Sequence, residues 1–421
     1  MAVFDTDRRV IVLALARMAD AVGNSFLVVL LPAYIGAHGR VDVTGYTGQL
    51  TLLGVDLLVV TPSLLVGFVL SLFGFLNSFM QPFTGRASDR AGKRKVFILA
   101  GLAVLGAASG AYAFVSDYRL VLLLRALQGV GAALTIPCTV ALVNELATAG
   151  TRGNNFGVFN TFRLIGFGFG PVVAGFVLTR HGFDAAFAVA VAGALVSFLL
   201  VYLLVSDPKE TEASAGEDLS IAVRGDDGLL DPVFALGVAT VCMGVCIALF
   251  ATLEPLVNER LGQDNVLFGL EFGTVVIANV LFQVPIGRAS DAYGRRPFLV
   301  AGFVLLIPST LAQGYVTTPA TMIAARFAQG VAVAAVFAPS LAVAGDLAKK
   351  GESGTTLSVL TMGFGLGTAL GPLASGFLVR YGFAVPFTVG SALAAGALVV
   401  VYTQVAETLG SAATPQGVPG D

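Results

Sequence analysis

Gly85-Arg86-Ala87-Ser88-Asp89-Arg90-Ala91-Gly92-Lys93-Arg94-Lys95 returns in the second half of the chain as Gly287-Arg288-Ala289-Ser290-Asp291-Ala292-Tyr293-Gly294-Arg295-Arg296. A glutamine, Gln81 or Gln283, stands four residues before each copy, and the offset is 202. Two further pairs keep an offset of 201: Arg125, Gln128 and Gly129 with Arg326, Gln329 and Gly330, and Gly170-Pro171 and Gly175-Phe176 with Gly371-Pro372 and Gly376-Phe377. Three motifs at nearly one spacing make the chain an internal duplication.

What lies between the motifs sets the class. Of 421 residues, 56% are hydrophobic and only 12% charged, too little polar surface for a soluble protein of this size. The apolar residues fall in blocks of about 20, the length a helix needs to cross roughly 30 Å of hydrocarbon. The blocks predict twelve spans near 10–35, 63–84, 96–115, 120–142, 156–179, 185–205, 232–256, 267–286, 298–316, 320–344, 356–379 and 384–405. The first block follows Arg8 and Arg9, runs too long for a signal-peptide core and lacks a small-residue cleavage pattern before Tyr34, so it reads as an uncleaved span. Residues 47–60, apolar apart from Asp56 and followed by Pro62, read as an interfacial helix or an extension of the second span. The expected fold is an all-α membrane protein with twelve transmembrane helices in two pseudo-symmetric six-helix bundles, 1–205 and 232–405. An acidic linker at 206–231 and a disordered tail at 406–421 complete it. Six spans separate the members of each repeated pair, so the halves share one topology.

With both termini placed inside, 15 Lys and Arg fall in inside segments, 5 in outside loops and 4 within spans. That bias fits the positive-inside rule and predicts cytoplasmic termini in a plasma membrane. Net charge is −2 with no basic stripe, so no nucleic-acid partner is expected. Cys138, Cys242 and Cys246 lie in apolar blocks, and His38 and His181 in loops, so no metal site is expected. Gly92-Lys93 is followed by Arg94 and lacks the upstream glycine of a phosphate-binding loop, which argues against an ATP-driven pump. No nucleophile constellation points to an enzyme.

The G-x-x-x-D-x-x-G-[KR]-[KR] spacing, present twice, resembles the signature loop of the major facilitator superfamily, and the resemblance covers essentially the whole chain. It implies two bundles that rock about a central site. It also implies that the gating residues are Gly85, Asp89, Arg90 or Arg94, Gly92 and Glu145, with Gly287, Asp291, Gly294, Arg295 and Asp346 as the second set. Tyr293 follows Ala292 where the first copy has Arg90-Ala91, so the second closure is expected to be the weaker. The Gly166, Gly170, Pro171, Gly175 stretch is similar to the antiporter motif of exporters in that superfamily, with Ala174 where glycine is usual. The Arg125 stretch is similar to a span-four motif linked to proton coupling.

Asp20, about ten residues into span one, is the midplane acid, and it has no counterpart in the second half. The Asp20-Ala21-x-Gly23…Leu31-Pro32 stretch is similar to the first span of tetracycline-type exporters in the twelve-span drug:proton antiporter branch. Arg17, three residues earlier on the same face, makes an internal ion pair the competing reading. Asp20 and Arg125 are the expected proton-coupling residues. Asn24, Gln128, Glu254, Asn279, Gln283 and Arg163 are candidates for the substrate cavity, with Glu271, about one turn into span eight, a further acid to weigh. The expected activity is proton-driven efflux of amphipathic small molecules by a monomer that needs no cofactor beyond the proton gradient. A facilitator or proton symporter for a small metabolite is the alternative.

Overall fold

In a computed structural model the structure describes residues 8–35, 39–52, 55–146, 152–207, 230–347 and 353–408, so residues 208–229 of the expected linker and 409–421 of the expected tail lie outside it. The described chain is helical almost throughout. The first half comprises α1 (Arg8–Tyr34), α2 (Pro62–Ala91), α3 (Arg94–Ala111), α4 (Tyr118–Glu145) and α5 (Arg152–Leu204). The second comprises α6 (Pro232–Ala248), a short corner helix α7 (Glu254–Leu261), α8 (Asn265–Tyr293), α9 (Arg295–Ala312), α10 (Pro319–Leu347), α11 (Ser353–Leu378) and α12 (Val385–Gln404).

Eleven of these helices are long and apolar enough to span a membrane. The longest, α5, has 53 residues, which at about 1.5 Å per residue is roughly 80 Å, more than twice the hydrocarbon thickness. It is two spans joined at Gly182, whose backbone is non-helical (φ 76, ψ −172) and which takes a positive φ open to glycine. The twelve expected spans are thus present, with spans five and six sharing α5. Span seven is α6, and from α8 onward helix and span numbers coincide.

One stretch departs from expectation. Residues 47–60 are neither an interfacial helix nor part of span two. They contain an antiparallel pair, β1 (Gly48–Leu52) and β2 (Val55–Val60), with Gly48 opposite Val60 and Leu52 opposite Val55. Thr51, Val55, Val59 and Val60 are β-branched and favour the extended backbone. Helix α2 cannot extend upstream, because Pro62 sits in its first turn and the Thr61 side chain caps it by accepting from Leu64 N–H at 3.2 Å.

Within each half the same helices meet. α2 and α3 pack on α4, as α8 and α9 pack on α10, and α1 lies against both segments of α5 much as α6 lies against α11 and α12. Across the halves, α5 meets α8 and α2 meets α11. The apolar core shows where that contact is tight. At the end carrying the β-hairpin, one continuous cluster draws on both halves, including Phe26, Tyr34 and Phe187 from the first and Phe250, Phe268 and Met322 from the second. At the end carrying the signature loops there are two clusters, one built from first-half residues such as Leu13, Ile98 and Leu142 and one from second-half residues such as Leu299, Val336 and Leu360. The halves are fused at the hairpin end and separate at the signature-loop end.

Candidate functional site

Helix α2 ends at Gly92, which adopts left-handed backbone (φ 61, ψ 20) while its N–H donates to the carbonyls of Ser88 and Asp89. That turn starts α3 at Arg94, whose guanidinium reaches back. It pairs with Asp89, donates to Ser88 Oγ at 2.6 Å, and donates to Glu145 Oε1 from Nε at 3.0 Å and Nη2 at 2.9 Å. Of the two arginines the sequence left open, Arg94 makes the cluster, while Arg90 is exposed. In the second half Arg295 does the same, pairing with Asp291 at 2.7 Å and, through Nε, with Asp346 at 2.7 Å. Tyr293 is exposed and takes no part in these pairs. The two clusters differ in hydration: Asp291 and Asp346 side chains are 62% and 37% exposed, against 32% and 23% for Asp89 and Glu145. Water therefore screens the second more strongly. All three partners of each cluster belong to one half, so each cluster braces its own bundle. Gly85 and Gly287 leave room beside the neighbouring helix, facing Pro137 and Ala338.

The sequence reading missed a third acid in each half. Lys95 N–H donates to Asp207 Oδ1 at 2.9 Å, and the N–H groups of Arg295 and Arg296 donate to Glu407 Oε1 and Oε2 at 3.0 and 2.9 Å. Each carboxylate lies just past the last span of its half and caps the helix that follows the signature loop. Gly294, beside Glu407 Oε2, takes a positive φ of 105°, which favours glycine at this turn. The signal was available, since Asp207 and Glu407 keep almost the repeat offset.

Asp20 lies deep inside the first bundle, 5% exposed, paired with Arg17. Of the two readings the sequence held open, the ion pair is the one the geometry contains. A small cavity of about 10 Å³, room for roughly one water, adjoins the pair between Ile98, Leu102, Thr135 and Thr139. Gly166 of the antiporter-like motif packs on the Met18 carbonyl, and a Cβ at Gly170 would lie 2.8 Å from the Val22 carbonyl oxygen, so these glycines bring α5 onto the turns of α1 that flank Asp20. Farther along, Pro171 and Gly175 meet Gly269 and Asn265 of α8, backbone on backbone. The repeat-related contact closes α2 on α11, where a Cβ at Gly67 would come 2.5 Å from the Pro372 carbonyl oxygen. The motif thus forms the hairpin-end seam between the halves.

Arg125 is 3% exposed, stacked 4.4 Å over Phe73, and donates to Gln128 Oε1 at 3.1 Å, not to Asp20. Gln128 in turn donates to Ser109 Oγ at 2.9 Å and accepts from the Tyr112 hydroxyl at 3.3 Å. Arg326 repeats the arrangement, donating to Gln329, which donates to Thr310. Gln128 is 1% exposed and its amide is occupied within its own half. Glu254 is 2% exposed, at the hairpin end. Asn24, Asn279 and Gln283 are partly exposed, and Arg163 bonds Asn160 Oδ1 at 2.9 Å, near enough to Arg17 for the two guanidiniums to repel. Most partly exposed positions along α1 and α6 are apolar, among them Ile11, Leu15, Met18 and Val22, and Phe234, Val238 and Cys242, with Arg9 and Asn24 of α1 the polar exceptions.

Two related six-span bundles, fused at one end and parted at the other, with duplicated charge clusters at the parted end, define a multi-pass membrane transporter. The sequence profile of the Major Facilitator Superfamily matches residues 13–226 and 236–418, and the chain belongs to that family. It is 26% identical over 426 residues to Major facilitator superfamily domain-containing protein 10 of Mus musculus, covering 92% of this chain and 91% of that one. It is 25% identical over 155 residues to the quinolone resistance protein NorA of Staphylococcus aureus, a match spanning 37% of this chain and 39% of NorA. The crystal structure of the human organic anion transporter MFSD10 (TETRAN) superposes with a TM-score of 0.67 at 20% identity, covering 94% of this chain and 99% of that one, a likeness of fold.

Proposed function

We propose that the chain exports amphipathic small molecules across the plasma membrane by alternating access, driven by the proton gradient. The carrying observation is the division of the apolar core, shared by both halves at the hairpin end and separate at the signature-loop end. A site between the bundles is then open toward the signature loops, which the positive-inside bias puts in the cytoplasm together with both termini. The apolar partly exposed positions of α1 and α6 suit a substrate recognised by shape and apolar contact. The partial likeness to NorA supports efflux. In this reading Asp20, tied to Arg17 and clamped by the glycines of α5, is the first-half carboxylate that changes partner during the cycle, and Arg125 supports the span-four side of the bundle.

The full-length likeness to a protein described as an organic anion transporter favours a second reading, in which the cargo is an amphipathic anion. The buried guanidiniums of Arg17 and Arg125 would favour such a cargo. Both are tested in vesicles under an imposed pH gradient, with one cationic and one anionic fluorescent amphiphile, with and without a protonophore. Uphill movement of either probe that collapses with the protonophore is expected, and Asp20→Asn is expected to abolish it while leaving the protein folded and inserted. Gradient-independent equilibration of both probes would remove the coupled reading, and uphill transport by Asp20→Asn would remove the role of Asp20.

A further inference from the structure

Helix α2 and its repeat partner α8 each carry an asparagine and a glutamine one turn apart: Asn77 and Gln81 in α2, Asn279 and Gln283 in α8, at an offset of 202. The contacts of the preceding turn fix where the asparagines stand. In α2, Phe73 packs on α4 and Gly74 on α11: a Cβ at Gly129 would meet the Phe73 carbonyl oxygen at 3.0 Å, and a Cβ at Gly74 would meet Ala369 Cβ at 2.7 Å. Asn77 follows Phe73 by four residues and Gly74 by three, so it stands between those two faces, one turn farther along the helix. In α8, Val275 packs on α10 and Val276 on α5: a Cβ at Gly330 would run into the Val275 carbonyl oxygen, and a Cβ at Gly168 would meet Val276 Cγ1 at 3.2 Å. Asn279 follows Val275 by four residues and Val276 by three, and so takes the same place. One flank of each asparagine is a helix of its own half, α4 or α10, and the other flank is a helix of the opposite half, α11 or α5. Both asparagines therefore face the space between the halves, one turn nearer the parted end than those contacts.

The two places are alike, but the hydrogen bonding is not. In α2 the pair closes on itself, with Gln81 Nε2 donating to Asn77 Oδ1 at 3.1 Å. In α8 the same residues at the same spacing make no such bond. Asn279 Oδ1 is buried and has no hydrogen-bond partner among the described residues. A buried acceptor left without a donor is costly, and here the donor that satisfies its repeat partner is at hand and unused. The residue as a whole is half-buried, and so are its apolar neighbours Ile277 and Val280. The Cβ–Cγ torsion of an asparagine is soft, so either end of the amide turns to the opening without moving the helix. The α2 amide is thus closed, and the α8 amide is open in otherwise apolar surroundings.

We infer that Asn279 determines specificity in the space between the halves: its side-chain oxygen accepts a hydrogen bond from an N–H or O–H group of the bound molecule. The site then takes amphipathic molecules that carry such a donor and rejects otherwise equal ones that lack it. An apolar wall sorts by size and shape and hardly separates a donor from its methylated counterpart. A buried acceptor does separate them, because a molecule without the donor leaves it unpaired. One fixed polar point also orients the molecule, with its polar group toward α8. The duplication supplies two equivalent positions, of which Gln81 closes the first and the second stays open to a ligand. This assignment rests on the transport reading only in taking the space between the halves as the binding site.

The test measures binding, not transport, with the purified full-length protein in lipid nanodiscs. Two fluorescent probes differ by one methyl group: N-octyl dansylamide, which has one N–H, and N-methyl-N-octyl dansylamide, which has none. Binding is the signal above that of empty nanodiscs. The wild-type protein is expected to bind the first probe about tenfold more tightly than the second, and Asn279→Leu to bring the two affinities together by weakening the first. Asn77→Leu is expected to keep the preference. Equal affinities in the wild-type protein overturn the role of Asn279 and leave the transport reading standing. So does a preference that survives Asn279→Leu, or one lost equally in Asn77→Leu. If neither probe binds, the space between the halves falls as a site for amphipathic molecules, and the role of Asn279 falls with it. Should Asn279→Leu fail to fold, Asn279→Ala takes its place with the same outcomes.

Discussion

Gly175→Ala is a one-methyl change whose effect the seam geometry sets. Built on the present backbone, the new Cβ stands 2.7 Å from the Asn265 carbonyl carbon and 2.9 Å from Val266 Cα. The Asn265 carbonyl oxygen is closer still. Non-bonded heavy atoms prefer about 3.5–4.0 Å, so α5 and α8 must part by about 1 Å or more. Both obstacles are backbone, and no rotamer change relieves them. Overpacking of this size costs about 1–3 kcal/mol. Alanine also favours helix over glycine by about 1 kcal/mol, but that gain is the same whichever end of the protein is open, so it cancels from the conformational balance. The steric cost falls only on the state sealed at the hairpin end. At about 1.4 kcal/mol per tenfold, the ratio of hairpin-closed to hairpin-open protein drops roughly 5- to 150-fold. Pairs of spin labels at exposed His181 and Glu259 for the hairpin end, and at exposed Arg90 and Arg288 for the signature-loop end, report the two gaps. Double electron–electron resonance is expected to show the first distribution lengthening and the second shortening. Unchanged distributions in a folded Gly175→Ala protein would refute the claim that this glycine contact closes the hairpin end.

Arg94→Ala removes the guanidinium that bridges Asp89 and Glu145, and charge-assisted bonds of about 1.5–3 kcal/mol each, discounted for partial exposure, predict a clear drop in unfolding midpoint. Arg295→Ala is expected to cost less because its carboxylates are more exposed, and Arg94→Lys should not rescue, since an ammonium cannot reproduce the guanidinium fork; equal losses for both alanine variants would count against the screening argument. Arg17→Gln leaves Asp20 buried without its cation and should destabilise by about 3–5 kcal/mol, while the Arg17→Gln, Asp20→Asn double variant recovers most of that; additive losses in this cycle would show that the two do not act as a pair. Glu407→Gln keeps one acceptor at the start of α9 and Glu407→Ala keeps none, so alanine should lose about 0.5–2 kcal/mol in denaturant unfolding and glutamine less.

The architecture was legible because duplication and span length are properties of the linear sequence: repeated motifs at 201 and 202, and apolar blocks of bilayer length, need no third dimension. The stretch at 47–60 was misread because composition alone does not separate an apolar helix from an apolar hairpin, although Thr61-Pro62 marked where the helix had to begin. Side-chain partners were less legible still. Gln128 was placed in the cavity because a polar residue in a span suggests a ligand, yet its partners Ser109 and Tyr112 come from the preceding span.

The acids make the same point with more at stake for mechanism. Asp20 drew attention by its depth in span one, whereas Glu254, near the end of span seven, was a cavity candidate and Glu271 an acid left to weigh. Depth is the weaker criterion, because the demand a buried carboxylate makes depends on what compensates it. Asp20 carries its cation three residues away on the same helix, so the pair is neutral as it stands. Arg326, beside Glu271, bonds its backbone carbonyl, and Glu254 and Glu271 each keep an oxygen with nothing to accept from. A carboxylate already neutralised must break a pair to exchange a proton, whereas an uncompensated one requires a cation to be buried at all. By that argument the duplication distributes labour differently from a simple reading of one midplane acid: first-half glycines and Arg17 hold Asp20 in place, and the second half contains the corner whose charge is incomplete.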